Sequence, residues 1–519
     1  MEIKRNSEFT RNVKCSDVYT ESVADYSLPD YLGDVRKILF TDAALRPSGR
    51  FAGGDEVEFS GVVVYNVVYL DADNNLSSVE FTSDYDYSVK CSAENYKDSI
   101  SNTRVSNYAV RLMGPRKMSA RASLVGSVSL SECESLSVSG SAFEADNSPE
   151  VNTKTVKIRS TKLSELCERE CAEQIARLDG AIADEVSVVY CGAEPCVDSV
   201  TADDGTVCVK GKLRMYTVLK NADAPAYEVD KTVNFEENLS FEGVNSDMYL
   251  TPELSVTSLK ANINADDAGC EVVLSCIVEF CIVGDTNENV DLTTDAYLKS
   301  SPTENSYEDF TYYKLVDCCS VRGSHNAELD RAQIESNALH DIVFLTATPK
   351  VEHVQTEEGC VNILGEIRYS GVASEMLDDK ISYVSVKFSS PFAVNVNTSC
   401  QNLENLQVDA KVMASCASAT IDANNLYATC QLDSCVTVCE EKRERVLASC
   451  SKSDGESYES VGASITVYYP TSEDTLFSVA KRFRTSSLKV ARDNDISESV
   501  FAADNPDGKL AGVRKLIIY

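Results

Sequence analysis

Twenty cysteines and three histidines carry the greatest chemical reach in this chain. Thiols and imidazoles can ligate zinc, act as nucleophile and base, or close disulfides, and each use demands its own spacing. Structural zinc recruits close ligand pairs such as Cys-x-x-Cys, and that spacing is absent here. His325 lies in a loop-like Arg-Gly-Ser-His-Asn stretch, His353 lies near an expected strand, and His340 stands apart from both. Many cysteines fall inside alternating apolar runs instead. Cys208, Cys276, Cys360, Cys430 and Cys435 all read as strand residues, small hydrophobes packed in a core. Cys167 and Cys171, four apart, share one face of an expected helix, where core packing is again the plainer use. Cys318-Cys319 and the group Cys430, Cys435 and Cys439 are the candidates for oxidative cross-linking. No metal site and no cofactor are expected.

Carboxylates are too many to single out a pair, with 82 Asp and Glu against 48 Lys and Arg. A general acid and base can be named only where a cleft brings two together. The chain has no Gly-x-Ser-x-Gly elbow, Walker loop, dinucleotide fingerprint or His-Glu-x-x-His. No catalytic residue is therefore assigned, and the chain is expected not to be an enzyme. The net charge of −34 opposes phosphate backbones and anionic lipid, so nucleic acid and membrane insertion are not expected. From Val461 onward eight basic side chains meet seven acidic ones, which leaves about −35 on the first 460 residues.

The elements that must hold these side chains are mostly strands. Apolar residues make up 43% of the chain, enough for packed cores across several domains. An alternating strand with a mid-strand glycine occurs three times: Val57 to Tyr65 around Gly61, Val207 to Tyr216 around Gly211, and Val361 to Tyr369 around Gly365. The glycines stand 150 and 154 residues apart, a tandem-domain period. Mid-strand glycine most simply marks a bulge or tight bend. An apolar segment precedes each anchor (Asp34–Leu39, Glu185–Tyr190, Asp341–Leu345) and another alternating strand follows it. A second β-rich half comes next in each copy, and such alternation predicts antiparallel sheets packed on one face. Leu163, Leu166, Cys167, Ile175 and Leu178 suggest an amphipathic helix between the first two copies, with Ala327 to Leu339 as its counterpart before the third.

The last sixty residues read differently. A short strand, Ile465 to Tyr469, leads into Ser472-Glu473-Asp474-Thr475-Leu476. Leu476, Val479, Ala480 and Phe483 then fall at i, i+3, i+4 and i+7, one face of a helix that Ser472 or Asp474 can cap. Leu488, Val490 and Ala491 mark a second helix ending near Asn494, and Leu516 to Tyr519 a closing strand. This βααβ order, with its Asp-Thr-Leu segment and Lys-Arg-Phe helix end, resembles a LysM domain, a module that docks onto glycan or onto other proteins. Glu473 stands where the family usually has glycine, and Ser497 to Gly508 is longer and more acidic than a typical last loop.

Ser27-Leu28-Pro29-Asp30-Tyr31-Leu32-Gly33-Asp34-Val35-Arg36-Lys37-Ile38-Leu39 is similar to the opening of a domain repeated in clostridial spore proteins. Repeats of that domain before one LysM resemble the SipL-type spore-coat morphogenetic family. The expected fold is mainly β, with three tandem antiparallel β-sandwich-like repeats at 1–160, 161–310 and 311–452. A linker at 453–461 and a LysM domain at 462–519 follow. The resemblance implies a non-enzymatic scaffold on the mother-cell side of the forespore surface. Its implied partner is a coat basement-layer ATPase of the stage IV sporulation protein A type, with self-association as a further possibility. The alternative is a peptidoglycan- or chitin-type glycan-binding protein holding N-acetylglucosamine in the same groove. In either case the expected contact residues are Glu473, Asp474, Thr475, Leu476, Asn494, Asp495 and Ile496. The first eight residues carry no apolar h-region, and no run approaches the ~18 apolar residues of a membrane helix. Cytoplasmic residence is expected on that basis.

Overall fold

The structure, a computed structural model, describes residues 7–91, 95–136, 138–140, 149–221, 224–266, 268–334, 339–377, 380–401, 404–422, 425–453, 458, 465–496, 509–510 and 513–519. It is mainly β. The first run of strands is β1 (Ser7–Lys14), β2 (Val18–Ser27), β3 (Val35–Gly53), β4 (Glu56–Asp71), β5 (Leu76–Lys90), β6 (Tyr96–Gly114) and β7 (Lys117–Leu136). After the two-residue β8 (Ser139–Gly140) come β9 (Glu150–Leu163), β10 (Cys167–Asp179), β11 (Val186–Asp203), β12 (Thr206–Asn221), β13 (Tyr227–Ser240), β14 (Tyr249–Asp266) and β15 (Gly269–Tyr297). The third run is β16 (Thr303–Asp330), β17 (Leu339–Glu357), β18 (Cys360–Leu377), β19 (Lys380–Asn397), β20 (Leu406–Ile421) and β21 (Asn425–Lys452). Last come β22 (Thr466–Tyr468), α1 (Leu476–Phe483), α2 (Ser487–Asp493) and β23 (Leu516–Ile518).

Two kinds of sheet recur. β3-β4-β5, β11-β12-β13 and β17-β18-β19 are antiparallel three-stranded meanders. The others are centred on a long strand. β7 carries β1 and β2 along one edge and β6 on the other. β15 likewise carries β9 and β10 against β14, and β21 carries β16 against β20. β16 runs unbroken where the other two edges are split, with register shifts between Ser306 and Tyr307 and between Leu315 and Asp317.

Each meander packs its apolar face on one of these sheets. Tyr65 and Phe81 meet Met118 and Leu124, Met215 and Phe235 meet Leu274 and Phe280, and Tyr369 and Val386 meet Leu426 and Cys430. Fully burying a side chain of this size stabilises by about 1.5–3 kcal/mol, so period-two patterning alone is enough to set which face turns inward. The three anchor glycines each pair with the residue that begins a bulge in the neighbouring strand: Pro47, Val197 and Val351. A Cβ at Gly61, Gly211 or Gly365 would collide with the carbonyl of Arg46, Cys196 or Lys350 and with the ring of Tyr85, Phe235 or Phe392. The bulge therefore lies opposite the glycine, and the glycine makes room for it.

The three meanders converge. Phe40, Tyr190 and Phe344 each follow a second bulge in β3, β11 and β17. Their rings touch pairwise, with centroids 5.3 Å apart for Phe40–Tyr190, 4.9 Å for Phe40–Phe344 and 5.2 Å for Tyr190–Phe344. Leu39, Val68, Val189, Val218, Val343 and Val372 complete this shared core. A second shared core joins Phe9, Ile158, Leu292, Phe310 and Val446 from β1, β9, β15, β16 and β21. The sheets are thus closed around common centres rather than strung in a line.

Neither of the two expected connecting helices is present among the described residues. Cys167–Asp179 is a strand, paired along β15 with Cys171 opposite Cys276. Residues four apart share a face in a strand as well as in a helix, so Cys167, Cys171 and Ile175 fitted both periods. What decides is the edge of β15, whose backbone groups need partners. Leu163 ends β9 and Leu166 is exposed in the break between the strands. The stretch from Ala327 continues β16 to Asp330 and ends in a single 3-10 turn, Arg331–Gln333, with 335–338 outside the described residues. His325, expected in a loop, lies within β16.

Candidate docking site at the C-terminal module

β22 and β23 form an antiparallel pair, with Val467 opposite Ile517 and Tyr468 opposite Leu516. α1 and α2 cover one face of it, and Leu476, Val479, Ala480, Val490, Leu516 and Ile518 make the buried core. Thr475, not Ser472 or Asp474, is the N-cap of α1. Its hydroxyl accepts from the Ser478 N–H, and the Ser478 hydroxyl accepts in return from the Thr475 N–H. Arg484 closes the helix in the left-handed region at φ 58°.

Asp474 braces the preceding turn. Its carboxylate accepts the Thr471 N–H at 2.7 Å, the Tyr468 hydroxyl at 2.9 Å and the Thr471 hydroxyl at 3.0 Å. These bonds, that of the Thr471 N–H foremost, hold its carboxyl below the usual carboxylate range. Asn494 is a clamp between helix and sheet. Its amide donates to the carbonyls of Val490 and Ile517 and its oxygen accepts the Ile517 N–H.

The expected contact residues therefore divide. Leu476 is only 1% exposed, and Ile496 packs against the same core. Asp474, Thr475 and Asn494 spend their polar atoms on the module itself. Glu473 and Asp495 face solvent, Glu473 within 3.4 Å of the Lys509 ammonium. The segment Ser497–Gly508 lies outside the described residues.

The open apolar surface is elsewhere. Alternation along β22 turns Tyr468 inward and leaves Ile465, Val467 and Tyr469 outward, 69%, 50% and 70% exposed. Tyr519, 57% exposed, continues β23 beside them. The same period-two signal that announces the strand also announces this face, which the contact set above does not include.

The module is fixed to the body. Tyr297, at the end of β15, is buried in the module core with its ring edge-on to Phe477 at 5.2 Å. Its hydroxyl donates to the Thr485 carbonyl at 2.6 Å. Lys481 pairs with Asp295, which also accepts from Asn305 and Tyr307. The Arg484 guanidinium lies 3.3 Å over the Tyr458 ring, and the Tyr458 N–H bonds the Ser300 carbonyl. Most of the segment 453–461 otherwise lies outside the described residues.

No protein-family model, curated protein or solved structure matches the chain. Among the described residues no group of three or more His, Cys, Asp or Glu is arranged to hold a metal ion. His325 sits between Ser390, 3.1 Å from its Nε2, and the stacked ring of Tyr369, and burial lowers its pKa. His340 and His353 are exposed. A hollow where the three sets of sheets meet is lined by Lys14, Arg159, Tyr312 and Asp409. Its cations are engaged, Lys14 with Asp409 and Arg159 with Asp285. Among the described residues no helix is long and apolar enough to cross a membrane.

Proposed function

We propose that this chain is a non-enzymatic assembly protein, a SipL-type scaffold of the spore coat. Its body is read as three tandem β-sandwich repeats, and its C-terminal module as a LysM domain that grips a partner protein. The matching positions of Gly61, Gly211 and Gly365, and of Phe40, Tyr190 and Phe344, support the repeat reading. The observation that carries the functional reading is the outward face of the β22 strand, with Ile465, Val467 and Tyr469 exposed on a module packed against the body through Tyr297. Apolar and aromatic residues presented without mobility are what a protein interface uses as anchors. The partner expected from the resemblance is the coat basement-layer ATPase at the forespore surface, which places the chain on the mother-cell side.

A fluorescent fusion of the full chain followed through sporulation tests this. The expected pattern is a shell around the forespore that disappears when residues 462–519 are deleted. Diffuse fluorescence of the intact fusion would overturn the reading. Titration of the full chain with chitin oligomers addresses the rival, since saturable binding there would favour a glycan ligand.

A further inference from the structure

Cys318 on β16 pairs in register with Thr437 on β21, and Cys435 pairs with Ser320. No register shift intervenes, so Cys318 and Cys435 are diagonal neighbours on one face of the two-strand ladder. Two hydroxyls reach the Cys318 sulfur, Thr437 at 3.6 Å and, from β14, Thr251 at 3.7 Å. Both thiols are half-buried at the seam between the β15 and β21 sheets, and both are free.

We propose that Cys318 and Cys435 are a redox-active dithiol, Cys318 the attacking thiolate and Cys435 the resolving thiol, that closes to a cross-strand disulfide when it meets a peroxide. The Cys435 thiol, then Thr437 and Thr251, hold the Cys318 pKa below the ordinary thiol range, because all three favour its anion. The adjacent Cys318 anion, then burial, push Cys435 up. The neighbours differ. Cys319 is raised to about 12 by burial and Asp317, and Cys439 to about 11 mainly by burial.

The chemistry balances as two displacements. The Cys318 thiolate attacks one peroxide oxygen, an S–O bond forms, the O–O bond breaks, and hydroxide leaves and takes a solvent proton. Cys435 then attacks the sulfur of the sulfenic acid. The S–S bond forms, the S–O bond breaks, and the departing hydroxide takes the Cys435 proton. Two thiol sulfurs are oxidised, one peroxide is reduced to two waters, and no other reactant is required.

The test uses the full chain, reduced, desalted and treated with equimolar hydrogen peroxide, then capped with iodoacetamide, digested and analysed by mass spectrometry. The expected product is a peptide pair joining Cys318 to Cys435, two hydrogens lighter than its parts and still formed in Cys319→Ser. At pH 7 Cys318 should take iodoacetamide at least about tenfold faster than an ordinary thiol, which is only a few per cent ionised there. In Cys435→Ala the cross-link should vanish, Cys318 should be trapped by dimedone as sulfenic acid, and its labelling midpoint should climb towards the usual ~8.5. If that variant loses its β circular dichroism, the wild-type cross-link and labelling profile decide alone. Cross-links dominated by other cysteines, or a Cys318 midpoint in the ordinary thiol range, would overturn the proposal.

Discussion

The Tyr297 hydroxyl donates a 2.6 Å hydrogen bond to the Thr485 carbonyl, at the turn between α1 and α2 and 188 residues further along the chain. With the ring edge-on to Phe477, this makes one side chain of β15 part of the C-terminal core. The module is an extension of the body, and its outer sheet face has a set direction.

Replacing that tyrosine separates the two parts. Tyr297→Phe removes one neutral hydrogen bond and should cost about 1 kcal/mol. Tyr297→Ala removes the ring as well and should cost about 3–5 kcal/mol of docking. Hydrogen exchange read at the amides of α1 checks this. Faster exchange in Tyr297→Ala, with exchange in β7, β15 and β21 unchanged, is the expected outcome.

The aromatic triad should matter to the whole body. Phe344 touches both Phe40 and Tyr190, and all three are buried. Phe344→Ala should destabilise by about 3–5 kcal/mol, whereas Phe51→Ala, at 69% exposed, should stay within about 0.5 kcal/mol. Urea unfolding of both variants supplies the comparison. Equal midpoints would contradict closure around a shared core.

Much of this architecture was legible in the residues. Gly61, Gly211 and Gly365 announced three strands of one kind, and Leu476, Val479, Ala480 and Phe483 announced α1, because period two and period 3.6 are local properties. Cys167, Cys171 and Ile175 misled because a spacing of four satisfies both. Phe40, Tyr190 and Phe344 keep the 150 and 154 spacing of the glycines, yet nothing local says that their rings meet. Among the expected contact residues, Leu476 looked like a ligand through its loop neighbours, while its helical face had already assigned it to the core. Tyr297 was illegible for the opposite reason, since its partner is set by tertiary packing alone.

Acid should loosen the turn before α1. Asp474 has a folded pKa depressed below the ~3.9 of an unfolded chain, the Thr471 N–H being the first cause. A depressed carboxylate contributes stability that is present above the unfolded value and is lost as pH falls through the folded one. The stability difference between wild type and Asp474→Asn should therefore be full at pH 7 and fade below about pH 4. Thermal melts of both proteins across pH 7 to 3 check the sign, and a gap that widens on acidification would contradict it.

The most direct test of the docking account is the affinity of the purified full chain for the purified basement-layer ATPase. It compares wild type with Val467→Glu/Tyr469→Glu, two exposed positions whose change leaves the core untouched. Loss of an aromatic anchor costs about 2 kcal/mol or more, so binding should weaken at least about thirtyfold while the melting temperature holds. A correctly folded double variant that binds as tightly as wild type would contradict it.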